Sequence, residues 1–302
     1  MRHEINKTLA KTYSTFSDFV ELSTKLSSSQ FDKGWGESDT DGNKSFFGDT
    51  NSFDEMVKRC YDGYNAKGIS ASRTEIGNLI MTEVPTDSLK HSGDALDIPT
   101  YLSGDMKCFW AEDSHQSSPK RIHITFGANC LASVNSTQFY NHGGAVAVIC
   151  DALDNIGAQT KITCTFTNTS VFGGEALQVI EVKEYNESVD VARIGVTTHP
   201  SFFRRIGFRY FERLGNYLGK GKEWAESSTS YGSSLTGKNR HRVVSDNEFS
   251  DWLRIDEDEI VVDLPAADNS VFGDTESTAK WVTDAIEKIN NNTSLKHIKI
   301  YE

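Results

Sequence analysis

The chain has 302 residues, 37% of them hydrophobic and 25% charged, which is the make-up of a globular protein with room for one large domain or two smaller ones. Its formal net charge of −12 and pI of about 5.2 disfavour general binding to phosphate backbones or anionic membrane surfaces unless the basic residues cluster. No apolar run approaches the roughly 20 residues of a membrane span.

The N-terminal stretch MRHEINKTLAKTYSTFSDF has no apolar core, so no signal peptide is expected. Asn-x-Ser/Thr triplets, among them those at Asn6, Asn135 and Asn186, then carry little weight as glycosylation sites. The five cysteines, Cys60, Cys108, Cys130, Cys150 and Cys164, are widely spaced and form no CxxC pair. Zinc-ribbon and thioredoxin-like chemistry are therefore not expected. Free, mostly buried thiols in a reducing cytoplasm are.

Residues 1 to about 70 read as a small helical lead-in. TFSDFVELSTKL carries Thr15 or Ser17 as N-cap candidates, with Phe16, Phe19, Val20 and Leu22 near helical spacing. After the polar, glycine-rich DKGWGESDTDGNKSFFGDT, the stretch NSFDEMVKRCYDGY predicts a second helix capped at Asn51 or Ser52. Its Asp54 and Glu55 sit in the first turn, where the helix dipole favours them. The mixed segment 71–119 completes an N-terminal region.

From Lys120 the pattern sharpens into a second region, 120–302. RIHITFGANC predicts a strand ending in a glycine loop. NSTQFYNHGGAVAVICDALDNIGAQ predicts a helix with an apolar stripe through Ala145, Val148, Ile149, Ala152, Leu153 and Ile156, stopped at Gly157. TKITCTFTNTSV and ALQVIEVKEY predict strands, and ESVDVARIGVTTHP a short helix. DEIVVDLPAADNS predicts a late strand. DTESTAKWVTDAIEKIN predicts a closing helix with Ala279, Val282, Ile286 and Ile289 on one face. Strands alternating with helices imply an α/β fold, a mostly parallel or mixed sheet flanked by helices. Sites in such sheets form beyond the carboxyl ends of the strands. That selects the loop GANCLAS, the Thr167–Thr169 turn, Thr197–His199 and Asp263. Residues 215–258 form a polar excursion rich in glycine and serine.

The run THPSFFRRIGFRYFERLG, residues 198–215, packs five aromatic rings and four arginines into an otherwise acidic chain. As an α-helix over 201–214 it places Arg205, Arg209 and Arg213 on one stripe at i, i+4, i+8. The favoured reading is a half-buried helix whose arginines pair with the protein's carboxylates and whose stems cover apolar surface. The competing reading is a grip on nucleic acid by Arg204, Arg205, Arg209 and Arg213, with rings for base stacking. Lys220, Lys222, Lys238, Arg240 and Arg242 in the basic loop 220–242 would assist it.

Two sets of stretches resemble known families. RIHITFGANC, GGAVAVICDALDNIGA, TKITCTF and LQVIEVKEY follow the order of a von Willebrand factor A-like Rossmannoid domain over about residues 120–290. FFGDTNSFDEMVKRCYDGY, YLSGDMKCFW and HPSFFRRIGF resemble an uncharacterised family of tailed-phage proteins, which implies a phage or prophage origin and no particular chemistry. The von Willebrand resemblance implies a divalent-cation loop of the Asp-x-Ser-x-Ser kind after the first strand. This chain has Phe126-Gly127-Ala128-Asn129-Cys130-Leu131-Ala132-Ser133 there, without the aspartate or the serine pair, so no metal is expected.

Other motifs fall short. DTDGNKS at Asp39–Ser45 matches the opening of a calcium loop, but the twelfth position is Thr50 rather than glutamate. In GSSLTGKNR, Gly232 lies five before Gly237 and Asn239 stands where a phosphate loop has Ser or Thr. EDSHQ at Glu112–Gln116 with His199 and Asp263 can be drawn as an acid/base set, and Asn129, His199 and Asp263 as an enzyme site at the strand ends, but no nucleophile motif accompanies them. The expectation is a non-enzymatic phage protein of the infected bacterial cytoplasm, without cofactor or metal. It would bind a host or phage protein partner through an acidic α/β scaffold, with nucleic-acid binding as the alternative and no membrane contact.

Overall fold

A computed structural model describes residues 2–5, 9–26, 46–64, 67–80, 88–90, 95–96, 98, 102–103, 109–111, 120–130, 133–169, 175–211, 246–253, 255–256, 259–292 and 297–300. Its centre is a seven-stranded mixed sheet. The strands are β1 (Arg2–Ile5), β2 (Leu9–Thr15), β6 (Arg121–Gly127), β7 (Gln159–Thr169), β8 (Glu175–Lys183), β9 (Glu259–Leu264) and β10 (His297–Lys299), in the order β1-β2-β8-β7-β6-β9-β10. The pairs β2–β8, β7–β6, β6–β9 and β9–β10 are parallel, whereas β1–β2 and β8–β7 are antiparallel. A separate antiparallel sheet joins β3 (Ser88–Lys90), β5 (Phe109–Ala111) and β4 (Ala95–Leu96).

The expected α/β architecture is present, and the predicted strands at 121–127, 159–169, 175–183 and 259–264 all form. The N-terminal lead-in differs from its purely helical expectation. Residues 2–15 are a hairpin, and β2 joins the sheet through a parallel register running from Leu9–Glu175 to Thr15–Glu181. The break placed at residue 120 therefore runs through a continuous sheet. Short polar strands such as β2 show no local pattern strong enough to announce this, because their partner lies some 165 residues away along the chain.

The helices are α1 (Phe16–Leu26), α2 (Phe53–Asp62), α3 (Lys67–Ile80), α4 (Ser136–Asn155), α5 (Val191–Thr198), α6 (Asp246–Leu253) and α7 (Thr275–Asn291). Their ends obey local chemistry. Thr15 Oγ1 accepts from Asp18 N at the start of α1, and the Ser52 side chain accepts from Glu55 N at the start of α2. Asn135 and Gln138 form a reciprocal capping box on α4, and Gly157 follows α4 at φ 86°. Asp190 caps α5 and Asp274 caps α7.

Gly143 and Gly144 interrupt α4 for a packing reason. A Cβ on Gly143 would sit 2.7 Å from Thr198 Oγ1, and one on Gly144 would sit 3.0 Å from the Arg73 backbone nitrogen. The glycines let α5 and α3 approach the α4 backbone, offsetting the roughly 1 kcal/mol that each glycine costs in a helix interior.

The main core lies on one side of the sheet. It gathers Ile122, Ile124 and Phe126 of β6, Ile162, Cys164 and Phe166 of β7, and Ile260, Val262 and Leu264 of β9 against α1 to α5 and α7. On the other side, Leu177 and Val179 of β8 meet Phe249 and Trp252 of α6, with Tyr13 and Leu253 at the margin. Among the described residues no helix is long and apolar enough to cross a membrane. The four described cysteines, Cys60, Cys130, Cys150 and Cys164, are free and buried, and Cys108 lies outside the described residues.

Candidate functional site

The Arg- and Phe-rich run is the first surprise. Residues 202–207 form a π-helical turn between α5 and a short helical stretch at 208–211, so the straight α-helix expected over 201–214 is not formed there. Every residue from 198 to 211 is buried. Aromatic residues occur on all sides of this segment, and a helix that is apolar all round belongs inside. Phe202 stacks on Phe16 at 5.7 Å between ring centroids, and Phe166 meets Phe202 and Phe203 at 5.5 Å each.

The arginines go inside with the rings. Arg204 donates to the Phe46 carbonyl, reaches Cys130 Sγ at 3.6 Å, and lies 4.5 Å over the Phe46 ring and 5.9 Å from that of Phe139. Burial lowers its pKa, and burial likewise pushes the Cys130 thiol up to about 11. Arg205 donates to Thr50 Oγ1 at 3.0 Å and to the Thr50 carbonyl at 3.1 Å, with its guanidinium 3.9 Å above Phe47. Arg209 is fully buried. Arg204 and Arg205 thus meet carbonyls, a hydroxyl, a thiol and ring faces. Arg213, Lys238, Arg240 and Arg242 lie outside the described residues, as do the Asp39–Ser45 loop, Glu112–Gln116 and GSSLTGKNR.

The segment 46–50 straps across this buried turn. Ser201 Oγ bonds the Phe47 carbonyl, and Thr50 Oγ1 lies 2.5 Å from Ser201 Oγ. Gly48 has φ 66°, and a Cβ there would fall 2.7 Å from His199 Cε1, so glycine is required on both counts.

Asp49 is the hub of the strap. Its Oδ1 lies 3.1 Å from His199 Nε2 and accepts from Arg59 at 2.6 Å, while its Oδ2 accepts from the Tyr64 hydroxyl at 2.8 Å. The His199 hydrogen bond, then those of Arg59 and Tyr64, hold the Asp49 carboxyl well below the usual carboxylate range against the opposing effect of burial. Arg59 also bonds Glu55 at 2.7 Å and lies 4.5 Å over the Tyr64 ring, whose edge meets His199 at 5.0 Å. Burial lowers the pKa of His199, with Asp49 opposing it. The Ser201 amide donates to His199 Nδ1 at 3.2 Å. That donation makes Nδ1 the acceptor, so the neutral ring carries its proton on Nε2 facing Asp49.

Beside this cluster is a crevice of about 640 Å³. Its walls are the strap (Phe46, Gly48, Asp49), the entry and first turn of α4 (133–136, Phe139, Tyr140), and His199 with Pro200. The loop after β6 leads directly into α4, so the crevice sits beyond the carboxyl end of a central strand, where ligand sites of open α/β sheets form.

Of the residues singled out from sequence, His199 lines the crevice and Asn129 and Asp263 do not. Asn129 is a buried clamp, donating to the Thr167 carbonyl at 2.9 Å and accepting from the Thr167 amide at 3.0 Å, so it pins the β6 loop to β7. Asp263 lies within β9 and accepts from Thr125 on β6. Among the described residues no group of three His, Cys, Asp or Glu side chains is placed to hold a metal ion. Asp49, Arg59 and Tyr64 were missed. The only sequence signal for them is that they fall in FFGDTNSFDEMVKRCYDGY, one of the phage-like stretches. That stretch and HPSFFRRIGF meet at the Asp49–His199 pair.

The chain belongs to a family described as Domain of unknown function (DUF7192), which matches residues 2–290. The match crosses both the N-terminal strands and the later α/β region. No curated protein matches the chain. No solved structure matches it either.

Proposed function

We propose that this DUF7192 member is a non-enzymatic binding module of phage origin, with a von Willebrand A-like scaffold that receives a protein partner at the crevice beside Asp49 and His199. The carrying observation is how that pair is engaged. His199 uses Nε2 toward Asp49 and Nδ1 toward the Ser201 amide, and Asp49 takes donors from His199, Arg59 and Tyr64. A general base needs a nitrogen or oxygen within reach of a substrate proton, and these atoms are already committed to internal bonds that stiffen the walls. Rigid walls around an open crevice suit recognition.

The strand order supports the scaffold reading. Numbered among themselves along the chain, β8-β7-β6-β9-β10 run 3-2-1-4-5, the order that begins doubly wound nucleotide-binding sheets, with the third strand antiparallel. The phage setting, and with it the cytoplasm of an infected bacterium, rests on the sequence resemblance, whose two best-placed stretches build the crevice. The net charge of −12 favours a partner with a basic surface.

The test is affinity capture from infected-cell lysate in the presence of nuclease, comparing the wild type with Ser136→Phe, which fills the crevice from the exposed start of α4. One stoichiometric protein, retained through nuclease and lost from Ser136→Phe, is the expected result. Equal capture by both forms removes the crevice from the function. Recovery that collapses with nuclease and falls steeply with salt transfers the function to nucleic acid and to the basic segment 220–242.

A further inference from the structure

The crevice also indicates what kind of group enters it, and this inference rests on the binding-module reading above. We infer that it accepts an uncharged aromatic side chain, presented on an extended segment of the partner, whose backbone bonds the polar rim at the start of α4.

Three observations converge. The first is the composition of the walls. Phe46, Phe139, Tyr140 and Pro200 supply apolar and ring surface, and His199 adds a ring whose Nδ1 accepts from the Ser201 amide. Aromatic rings favour offset or edge-on contact with other rings by about 0.5–1.5 kcal/mol beyond the area they bury. The second is charge. Among the described residues Asp49 is the one carboxylate in the lining, and Arg59 balances it at 2.6 Å. Among the described residues no Lys or Arg lines the crevice, and the Arg204 guanidinium stacks at the Phe46 ring. Against the described walls, a phosphate or carboxylate entering would lose its hydration without meeting a lining cation, and an ammonium would find Asp49 already engaged. The third is the polar rim. Ser133, Asn135 and Ser136 stand together at one end. The Asn135–Gln138 capping box satisfies the Asn135 and Gln138 amides, so the Ser133 and Ser136 hydroxyls are the rim groups suited to a peptide backbone. A volume of about 640 Å³ holds an aromatic side chain together with flanking backbone, and falls in the range of ligand sites rather than of a flat interface. Buried aromatic anchors of this kind carry most of the affinity in protein interfaces.

The experiment is an amide-detected NMR titration of the full chain with N-acetyl-L-tryptophanamide, N-acetyl-L-leucinamide and inorganic phosphate. The tryptophan amide is expected to saturate with a dissociation constant on the order of 1 mM, shifting the amides of Ser133–Tyr140 and His199 through ring currents. The leucine amide is expected to bind at least tenfold more weakly, and phosphate to leave those amides unmoved. Ser136→Phe should keep the wild-type melting temperature and weaken the tryptophan amide at least tenfold. Equal binding of the leucine amide, shifts produced by phosphate, or tryptophan-amide shifts that persist unchanged in Ser136→Phe would each overturn the inference. If the amides fail while captured partner is still lost from Ser136→Phe, the ligand class falls and the binding-module reading stands.

Discussion

The two faces of the central sheet are built on opposite principles. Along β6, β7 and β9, one set of alternating residues is Ile122, Ile124, Phe126, Ile162, Cys164, Phe166, Ile260, Val262 and Leu264, all in the main core. The other set contains His123, Thr125, Thr163, Thr165, Thr167 and Asp263, all buried as well. The first face is held by transfer of apolar area out of water, which is non-directional. Along these three strands the second carries cross-strand bonds in register, while at β8 the same face packs Leu177 and Val179 on α6. His123 Nε2 lies 3.1 Å from Thr163 Oγ1, Thr125 donates to Asp263, and Thr165 donates to the Phe126 carbonyl at 3.1 Å. Buried polar groups tolerate little misalignment, because an orphaned donor or acceptor costs more than a bond contributes. The apolar face therefore supplies most of the stability, and the polar face specifies strand register.

The largest expected effect lies on the apolar face. Phe166→Ala on the apolar face removes a ring that touches Phe19, Phe202, Phe203 and Phe211, and should cost about 3–5 kcal/mol in urea unfolding. A loss below 1 kcal/mol would mean that the aromatic cluster is not the main support.

Next comes acid. His142 of α4 lies between Phe126 and Phe272, and burial lowers its pKa to about 4 with the Pro265 backbone opposing. Burial lowers that of His199 as well. An unfolded histidine takes up its proton near pH 6.5, before the folded one does, so the unfolded state binds more protons in the window from about 6.5 down to about 4. Stability is full above that window and falls as pH drops through it, by about 3 kcal/mol from His142 alone. Unfolding free energies at pH 7.5 and pH 4.5 measure the slope, and His142→Phe should flatten it. An unchanged slope in that variant would assign the acid sensitivity elsewhere.

Thr125→Val tests the polar face with little change of shape. It removes a donor from buried Asp263 and should cost about 1–3 kcal/mol. A double-mutant cycle with Asp263→Asn should show coupling, and strict additivity would deny the bond its role. The smallest effect belongs to neither face. Asn135→Ala removes the capping box of α4 and should cost about 1 kcal/mol.

Much of this was legible along the chain, and the reason is local. Ser52, Asn135 and Gly157 mark helix ends because their side chains or φ angles act within three residues of themselves. The stripe of α7 places Ala279, Val282 and Ile289 in the core as its period predicts, with Ile286 packed at the edge. Other features depend on distant partners. The polar strand β2 is a strand because β8 offers it a parallel edge. FFRRIG is a fully buried π turn where the sequence suggested a half-buried α-helix, and the distant 46–50 strap gives carbonyls, a hydroxyl and ring faces to its guanidiniums.

Sequence alone showed four strands of the α/β region, its helices at 136–155, 191–198 and 275–291 and the stop at Gly157, since period and capping chemistry are properties of neighbours in the chain; the helix at 246–253 and the strand at 297–299 it did not show. The crevice arises from contacts between segments far apart in the chain. Asp49 and His199 stand 150 positions apart, and each becomes part of a site only when the fold closes the distance to 3.1 Å and removes the water between them.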